Sequence, residues 1–291
     1  MEIGVRIPHT GPRATPAFVR EWCTTADRLG FDTLWGADHL VMPRTVASLY
    51  PLPREPAALA ENAVSDLLSP NFELLTTLAH VAAVTERARL ATGVAVLPIR
   101  NAVLNARQLA TIDRYSGGRV LCGVGAGWLK EEADAIGMPW DRRGRRTEEH
   151  IALLRALWTA PGDHVEFHGE FWDLPPMDPE PRPVQQPIPI LVGGHSEAAM
   201  DRAARLGDGW VAAGMSADRL AELLVPLRAA LDRHGRDPAD LPVYVGTRVG
   251  PPLTLDDLHR YEEAGAHAVQ IGLDTLDELR RFGDEVLPAF R

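Results

Sequence analysis

Residues 188–214 read IPILVGGHSEAAMDRAARLGDGWVAAG, and this segment indicates how the chain is built. An apolar run of strand length ends in a glycine pair. A helical pattern follows Ser196, a residue type that caps helix N-termini well. A second apolar run begins at Asp208. Two strands that are apolar on both faces and joined by a helix are typical of a parallel sheet covered by helices.

The same alternation recurs along the whole chain and gives eight strand–helix units. Eight such units in roughly 250 to 300 residues predict the α/β class and a single (β/α)8 TIM-barrel domain over 1–291, with insertions in βα loops. A doubly wound sheet is the alternative, but it usually has fewer strands. The predicted strands are 3–8, 32–37, 89–98, 119–126, 188–194, 208–214, 241–249 and 268–274.

Two insertions interrupt the alternation. Residues 41–71 follow a strand and precede a helix, so they belong to the face where barrel active sites lie. Residues 160–187 follow a helix and contain a hairpin pattern and a Pro-rich stretch. Their αβ position predicts the opposite face and a role in stability.

Composition narrows the classes of function. The 291 residues are 45% hydrophobic and 24% charged, with a formal net charge of −10 and no long apolar run. These values are typical of a globular protein with a sizeable core, and the charge argues against nucleic acid or a membrane as partner. The start MEIGVRIP lacks the pattern of a secretory signal, so a cytoplasmic location is expected. Cys23 and Cys122 lack metal-binding spacing and are interpreted as reduced core residues.

The polar residues at the predicted strand ends exclude several reactions. The pair of facing carboxylic acids of a glycosidase is missing. Lys130 lies beside Glu131 and Glu132, which keep it charged and unsuited to Schiff-base chemistry. Scattered histidines such as His9 do not form a metal site, so no metal is predicted. The chemistry is therefore expected from a bound cofactor.

Two glycine-rich turns follow strands and could contact that cofactor. Gly193 and Gly194, with His195 next to them, precede a helix N-terminus, where backbone N–H groups can bind an oxyanion. The turn of Gly125, Ala126 and Gly127 is a second candidate, although GxGxG is not a dinucleotide fingerprint. Ordinary tight turns and close strand packing are the alternatives for both.

Asp38 and His39 form a polar pair at the end of an apolar strand. One member could hold a cofactor ring while the other serves the substrate. The alternative is an aspartate that caps the following turn beside an exposed histidine.

Together these residues resemble the luciferase-like monooxygenase family, in particular its deazaflavin (coenzyme F420)-dependent oxidoreductases. The resemblance runs from GVRIPHTGP to at least residue 214. It includes the stretches LGFDTLWGADHL, LATGVAVLPIRNAVLNARQLATIDRYSGGRVLCGVGAGWLKEE, MPWDRRGRRTEEHI and PIPILVGGHSEAAMDRAARLGDGW. It implies a barrel that binds F420, or alternatively FMN, in its mouth. It also implies homodimers and a cis peptide bulge between Gly93 and Val94 behind the cofactor ring.

The resemblance assigns roles to individual residues. Asp38 is expected near the ring, His39 is the expected catalytic residue, and the two glycine turns are expected near the phosphate of the cofactor tail. The candidate walls of the substrate pocket are His9, Tyr50 and Trp128. Trp128 stands where sugar-phosphate dehydrogenases of this family carry a glutamate, so that activity is not expected here.

The expected activity is F420-dependent hydride transfer between the deazaflavin C5 and a small organic substrate. Two alternatives remain open: an FMN-dependent monooxygenase that uses reduced flavin and oxygen, and a non-catalytic flavin- or F420-binding barrel. The arginine-rich run 141–146 could meet the anionic tail of F420, but a solvated run is the more common meaning of such a stretch.

Overall fold

The computed structural model describes residues 1–48, 69–247 and 252–291. Within these ranges, eight parallel strands close into a barrel, which confirms the (β/α)8 prediction. The third barrel strand consists of two short pieces, β3 and β4, so the barrel contains nine strand segments. The strands are β1 (Glu2–Arg6), β2 (Thr33–Gly36), β3 (Arg89–Thr92), β4 (Ala95–Val96), β5 (Val120–Gly125), β8 (Ile190–Gly193), β9 (Gly209–Ala212), β10 (Val243–Gly246) and β11 (Ala268–Ile271).

The ring closes through pairing of β1 with β11 on one side and β2 on the other. Strand β2 pairs with β3, and β3 pairs with β5. Strand β4 continues the third barrel strand and also pairs with β5. The remaining contacts run β5–β8–β9–β10–β11, all parallel. All carboxyl ends of the strands therefore open at one face, which is called the mouth below.

Helices surround the barrel and follow the predicted pattern. They are α1 (Pro16–Leu29), α2 (Leu74–Val84), α3 (Ala102–Ser116), α4 (Lys130–Ala135), α5 (Arg143–Thr159), α6 (Glu197–Leu206), α7 (Ala217–Arg233), α8 (Leu255–Glu263), α9 (Leu276–Arg281) and α10 (Leu287–Phe290), with a π-helical turn at Phe282–Val286 between the last two. None of the helices in the described ranges is both long and apolar enough to cross a bilayer.

Local sequence sets the helix boundaries. The Thr15 side chain accepts from the N–H of Phe18, Pro16 occupies the first helical position, and Gly30 ends α1 with a φ of 87°. Ser196 and Asn101 cap α6 and α3 in the same way. These caps place each helix start directly after a mouth loop, as the βα order requires.

The barrel interior is a small apolar cluster separate from the larger core between sheet and helices. Its largest member, Trp35, contacts Tyr244 with ring centroids 5.8 Å apart. Val94 packs against the cluster from the mouth side. The cluster closes the barrel below the mouth and consists of Trp35, Ala91, Leu121, Leu191, Val211, Tyr244 and Ala268.

The insertion at 160–187 contains the predicted hairpin, formed by β6 (Val165–His168) and β7 (Asp173–Met177). The expectation that it stays at the opposite face is wrong for its tip. Glu149, in the first half of α5, accepts hydrogen bonds from the N–H groups of Glu170, Phe171 and Trp172 at 2.8, 2.8 and 2.9 Å. The hairpin is long enough to run back along α5, so its tip reaches the mouth end of that helix.

Candidate active site

The third barrel strand is interrupted at the peptide between Gly93 and Val94, which is cis as expected. The interruption directs Val94 towards two neighbouring strands. A Cβ atom at position 125 would lie 2.7 Å from Val94 Cγ2, and one at position 193 would lie 2.9 Å from Val94 Cγ1. Glycine is thus required on both strands so that Val94 fits between them.

The predicted site residues of three other strands meet at this bulge. The N–H of Gly93 donates to Gly36 O at 2.7 Å, which ties the bulge to the end of β2. Position 127, with a φ of 79°, lies next to Val96 in β4, since a Cβ there would approach Val96 Cγ1 to 2.8 Å. The expected cofactor-binding residues at the ends of β2, β5 and β8 therefore lie around one mouth together with the bulge.

We expect Gly125→Ala to disturb this arrangement measurably. The added methyl group would overlap Val94, and overpacking of this kind costs about 1–3 kcal/mol. Urea denaturation should show the lower unfolding free energy. The matched control is Gly162→Ala, because a Cβ there has no neighbour within 4 Å; this change should stay within about 0.5 kcal/mol of wild type. Equal stability of the two variants would show that Val94 tolerates a side chain at position 125.

Asp38 lies beneath the mouth with its side chain fully buried. Its Oδ2 accepts from Val96 N at 2.8 Å and from Arg100 Nε at 2.9 Å, and its Oδ1 accepts from Arg100 Nη2 at 2.6 Å. Both carboxylate oxygens thus have protein partners. Asp38 is near the bulge, as expected, but its side chain holds β4 in place, so contact with a cofactor ring stays a prediction.

Arg100 connects Asp38 to Glu73 at the start of α2, with Nη2 2.8 Å from Glu73 Oε1. Burial alone would lower the pKa of Arg100, but its bonds to Asp38 and Glu73 raise it overall. Burial likewise opposes ionisation of Glu73, yet the N–H of Thr76 and the guanidinium of Arg100 hold the pKa of Glu73 below its usual value. Arg100 and Glu73 are therefore both ionised at neutral pH.

His39 follows Asp38 and is partly exposed, with 13% of its side chain accessible. Its Nδ1 lies 3.0 Å from Oε2 of Glu132 in α4. The ring meets Trp128 edge-on, with centroids 6.0 Å apart and an interplanar angle of 88°. The predicted catalytic residue and the predicted aromatic wall are therefore in contact.

The other predicted site residues are placed differently. His9 is completely buried, with Nδ1 3.0 Å from Ile7 O and Nε2 2.9 Å from Ala37 O. It links the ends of β1 and β2 and has no exposed surface for a substrate. Tyr50 lies outside the described residues, as does most of the insertion 41–71.

The turn after β8 is half-buried and leads into α6. The N–H of Gly194 is directed at Val211 O at 3.4 Å, so this group contacts the neighbouring strand. His195 Nε2 accepts from Ala213 N at 3.2 Å, which holds the ring over β9. Burial and the charge of Arg219 lower the pKa of His195, which favours its neutral form. A phosphate role for this turn stays a prediction, with the N-terminus of α6 as its main source of positive potential.

Two adjacent glutamates of α4 tie down the loop after His39. Glu132 accepts from Leu40 N at 2.5 Å and Val41 N at 3.2 Å. Glu131 accepts from Ala47 N at 2.6 Å and from Ser48 N at 2.9 Å. Sequence analysis gave Glu132 only the role of keeping Lys130 charged, and it gave no role to Arg100. Lys130 begins α4 and pairs with Asp134.

The Glu131 contacts predict a pH-dependent stability. Burial acts in the raising direction, but hydrogen bonds from Ser48 and Ala47 lower the pKa of Glu131 from 4.5 to about 2. Because the folded pKa is depressed, the stabilisation is complete above about pH 4.5 and is lost as the pH falls towards 2. At this exposed position it amounts to less than about 1 kcal/mol.

The measurement compares urea midpoints of wild type and Glu131→Gln at about pH 6 and about pH 3. At about pH 6 wild type should be more stable than Glu131→Gln. At about pH 3 the difference in stability between the two proteins should be smaller. A difference of the same size at both pH values would contradict the role given to the ionised carboxylate.

The arginine run 141–146 meets the hairpin tip and not only solvent. The guanidinium of Arg146 lies 4.4 Å from the centroid of the Phe171 ring, and that of Arg143 lies 4.1 Å from the Trp140 ring. Arg142 and Arg145 pair with Glu170. These contacts fix the run at the mouth end of α5. Contact of the run with the anionic tail of F420 stays a prediction.

Comparison with known proteins places this chain in a family. The sequence profile of luciferase-like monooxygenases matches residues 1–267. The chain belongs to the luciferase-like monooxygenase family. The oxidoreductase class follows from that membership.

One sequence relative and one protein of similar structure use different cofactors. An uncharacterized protein of Mycobacterium tuberculosis is 38% identical over 203 residues, which are 70% of this chain and 68% of the relative. The FMNH2-dependent dimethylsulfone monooxygenase of Pseudomonas putida is 38% identical over 164 residues, 55% of this chain and 44% of the relative. A solved F420-dependent secondary alcohol dehydrogenase superimposes with a TM-score of 0.79 at 16% identity, covering 100% of this chain and 99% of that one. At that identity the superposition shows a shared fold.

Proposed function

We propose that this luciferase-like protein is an F420-dependent oxidoreductase that transfers a hydride between deazaflavin C5 and a small organic substrate. One observation carries the proposal: Asp38, the Gly93–Val94 bulge and the glycines of β5 and β8 meet at one mouth, and His39 lies beside them. The fold shared with an F420-dependent secondary alcohol dehydrogenase supports the same cofactor class.

The residues present fit a planar cofactor with an anionic tail. Val94 fills the space that side chains at positions 125 and 193 would occupy, so a ring could lie against a smooth surface of valine and glycine. The N-terminus of α6 beyond Gly194 is the candidate phosphate site, since helix N-termini favour anions. We propose Gly93, Val94, Gly125, Ala126, Gly127, Gly193, Gly194 and His195 as the cofactor-binding set, with Asp38 beneath them.

The deazaflavin, when bound, supplies the hydride acceptor or donor. The protein contributes the proton chemistry: His39 reaches the mouth and can hydrogen-bond the reacting oxygen of a substrate. Trp128 packs on the His39 ring and offers an apolar wall beside it. His9 is buried and links the ends of β1 and β2, so its proposed role is to support the strand that leads to Asp38 and His39. Tyr50 is proposed as a pocket wall from the sequence.

An FMN-dependent monooxygenase is the second candidate. The 38% identity to the dimethylsulfone monooxygenase of Pseudomonas putida favours it. The same mouth would hold FMN, since the glycine surface and the α6 N-terminus suit either ring and either phosphate. The difference would lie in oxygen reactivity.

The deciding experiment is titration of purified protein with F420 and with FMN separately, followed by fluorescence quenching. The proposal expects saturable binding of F420 that is at least tenfold tighter than that of FMN, and no oxygen uptake with reduced FMN. Tighter FMN binding with substrate-dependent oxygen uptake would establish the monooxygenase instead. Tight binding without turnover on a panel of alcohols, carbonyls and enones would favour a non-catalytic binding protein.

The remaining expectations are part of the same proposal. We propose a homodimer that works in the cytoplasm on a small molecule, without nucleic-acid or membrane partners. Light scattering of the purified chain tests the dimer directly.

A further inference from the structure

Glu132 in α4 is a buried carboxylate that contacts the loop after His39. Only 2% of its side chain is accessible. Its two oxygens have different partners: Oε1 accepts from the N–H groups of Leu40 and Val41, and Oε2 lies 3.0 Å from Nδ1 of His39. The carboxylate thus holds the loop and the imidazole at once.

The chemistry of these partners determines where the proton of His39 lies. Backbone N–H groups can only donate, so Oε1 is an acceptor, and such bonds are stronger to a carboxylate than to a carboxylic acid. An ionised carboxylate has no proton to give, so Nδ1 of His39 must carry the hydrogen of this bond. A neutral imidazole has only one N–H. Nε2 of neutral His39 is therefore a bare acceptor.

We infer that Glu132 is a positioning residue that fixes His39 in the Nδ1–H tautomer and presents its Nε2 lone pair to the substrate. The inference rests on the proposed role of His39 at the reacting oxygen. It adds a substrate class: neutral His39 accepts a hydrogen bond from a hydroxyl group and cannot donate one to a carbonyl. A carbonyl oxygen is bound only after His39 is protonated, and the Glu132 carboxylate then stabilises the imidazolium.

The edge-on contact of Trp128 makes this assignment geometrically specific. The Trp128 ring packs against the His39 ring with an interplanar angle of 88°. With Nδ1 held by Glu132 at one side, a ring flip would remove the hydrogen bond to a buried anion, which is costly. One orientation and one tautomer are thus selected together.

A variant can separate this role from loop anchoring. In Glu132→Gln the side-chain oxygen can still accept from Leu40 N and Val41 N, while the amide nitrogen replaces Oε2. That amide donates towards Nδ1, so the neutral ring has to move its proton to Nε2. Glu131→Gln is the matched control, because Glu131 lies next in the same helix and contacts Ala47 and Ser48 but not His39.

The test is nitrogen NMR of proteins labelled in the histidine rings, without added cofactor, at a pH where His39 is neutral. The His39 signals are identified as those missing in His39→Gln. We expect a protonated Nδ1 and an unprotonated Nε2 in wild type and in Glu131→Gln, and the reverse in Glu132→Gln. A protonated Nε2 in neutral wild type would overturn the inference, and this result needs no variant to fold.

A kinetic arm separates this inference from the proposed function. If F420-dependent turnover is found, Glu132→Gln should reduce it by about 100-fold, and adding the same change to His39→Ala should reduce it by less than about twofold, because Glu132 acts through His39. A further large loss in the double variant would contradict the positioning role. Should no F420 activity exist while the tautomer is as stated, the proposed function fails and the positioning of His39 stands.

Discussion

His39→Ala is expected to lower turnover by about 100-fold or more and to leave cofactor affinity nearly unchanged. General acid–base groups contribute about 10²–10⁴-fold to rate, and the imidazole of His39 lies against Trp128 at the mouth. The surfaces proposed for the cofactor, Val94 and the glycines of β5 and β8, do not include His39. The loss should therefore fall on kcat and not on cofactor binding.

The measurement combines steady-state turnover with the fluorescence titration for wild type and variant. His164→Ala is a suitable control, since His164 is exposed beside the hairpin, with 64% of its side chain accessible. It should change neither quantity. If His39→Ala weakens cofactor binding as much as it lowers turnover, His39 contacts the cofactor ring and is not the proton-handling residue.

Arg100→Met should destabilise the folded protein by about 3–5 kcal/mol. The guanidinium is 7% accessible and binds a carboxylate, Asp38, that is fully buried. Removing one member of a buried ion pair leaves an uncompensated charge, which is far more costly than losing an exposed pair. Because Asp38 also accepts from Val96 N, the loss should loosen β4 and reduce cofactor affinity.

Urea denaturation of three variants tests this expectation. The control Arg280→Met removes an arginine from an exposed ion pair with Glu21, in which the two side chains are 48% and 55% accessible. It should lower the unfolding free energy by less than about 1 kcal/mol. Combining Arg100→Met with Asp38→Asn removes the buried charge and should recover part of the stability. A double variant less stable than Arg100→Met alone would show that the cost does not come from the unpaired carboxylate.

The barrel was predictable because its signal is local. Each unit carries an apolar run of strand length, a cap and an amphipathic helix, and these repeat in order without need of distant partners. The third strand differs: a continuous run was expected over 89–98, but pairing stops at Thr92 and resumes at Ala95. Only the resemblance to a family, and no periodicity, located that interruption at Gly93–Val94.

The site was predictable in part, for a different reason. Strand ends of a barrel share one face, so Asp38, His39 and the glycine turns could be grouped from topology alone. The partners of these residues could not be predicted in this way. Arg100 lies 62 positions from Asp38, and Glu132 lies 93 positions from His39, each on another element. His9 also lies at a strand end, but both of its ring nitrogens contact backbone carbonyls. A polar residue at a strand end can therefore have a purely structural role.

The anchors on either side of residues 49–68 have a consequence for how this protein can change. Before that stretch, Ser48 is held by Glu131, and after it Pro70 O accepts from Gly11 N at 2.8 Å while Asn71 donates to His39 O at 2.6 Å. Both attachment points belong to the scaffold, so their separation does not depend on the sequence between them. Homologous stretches could accordingly be exchanged between positions 48 and 69 as a cassette, while the contacts of Glu131, Glu132 and Asn71 on either side are retained.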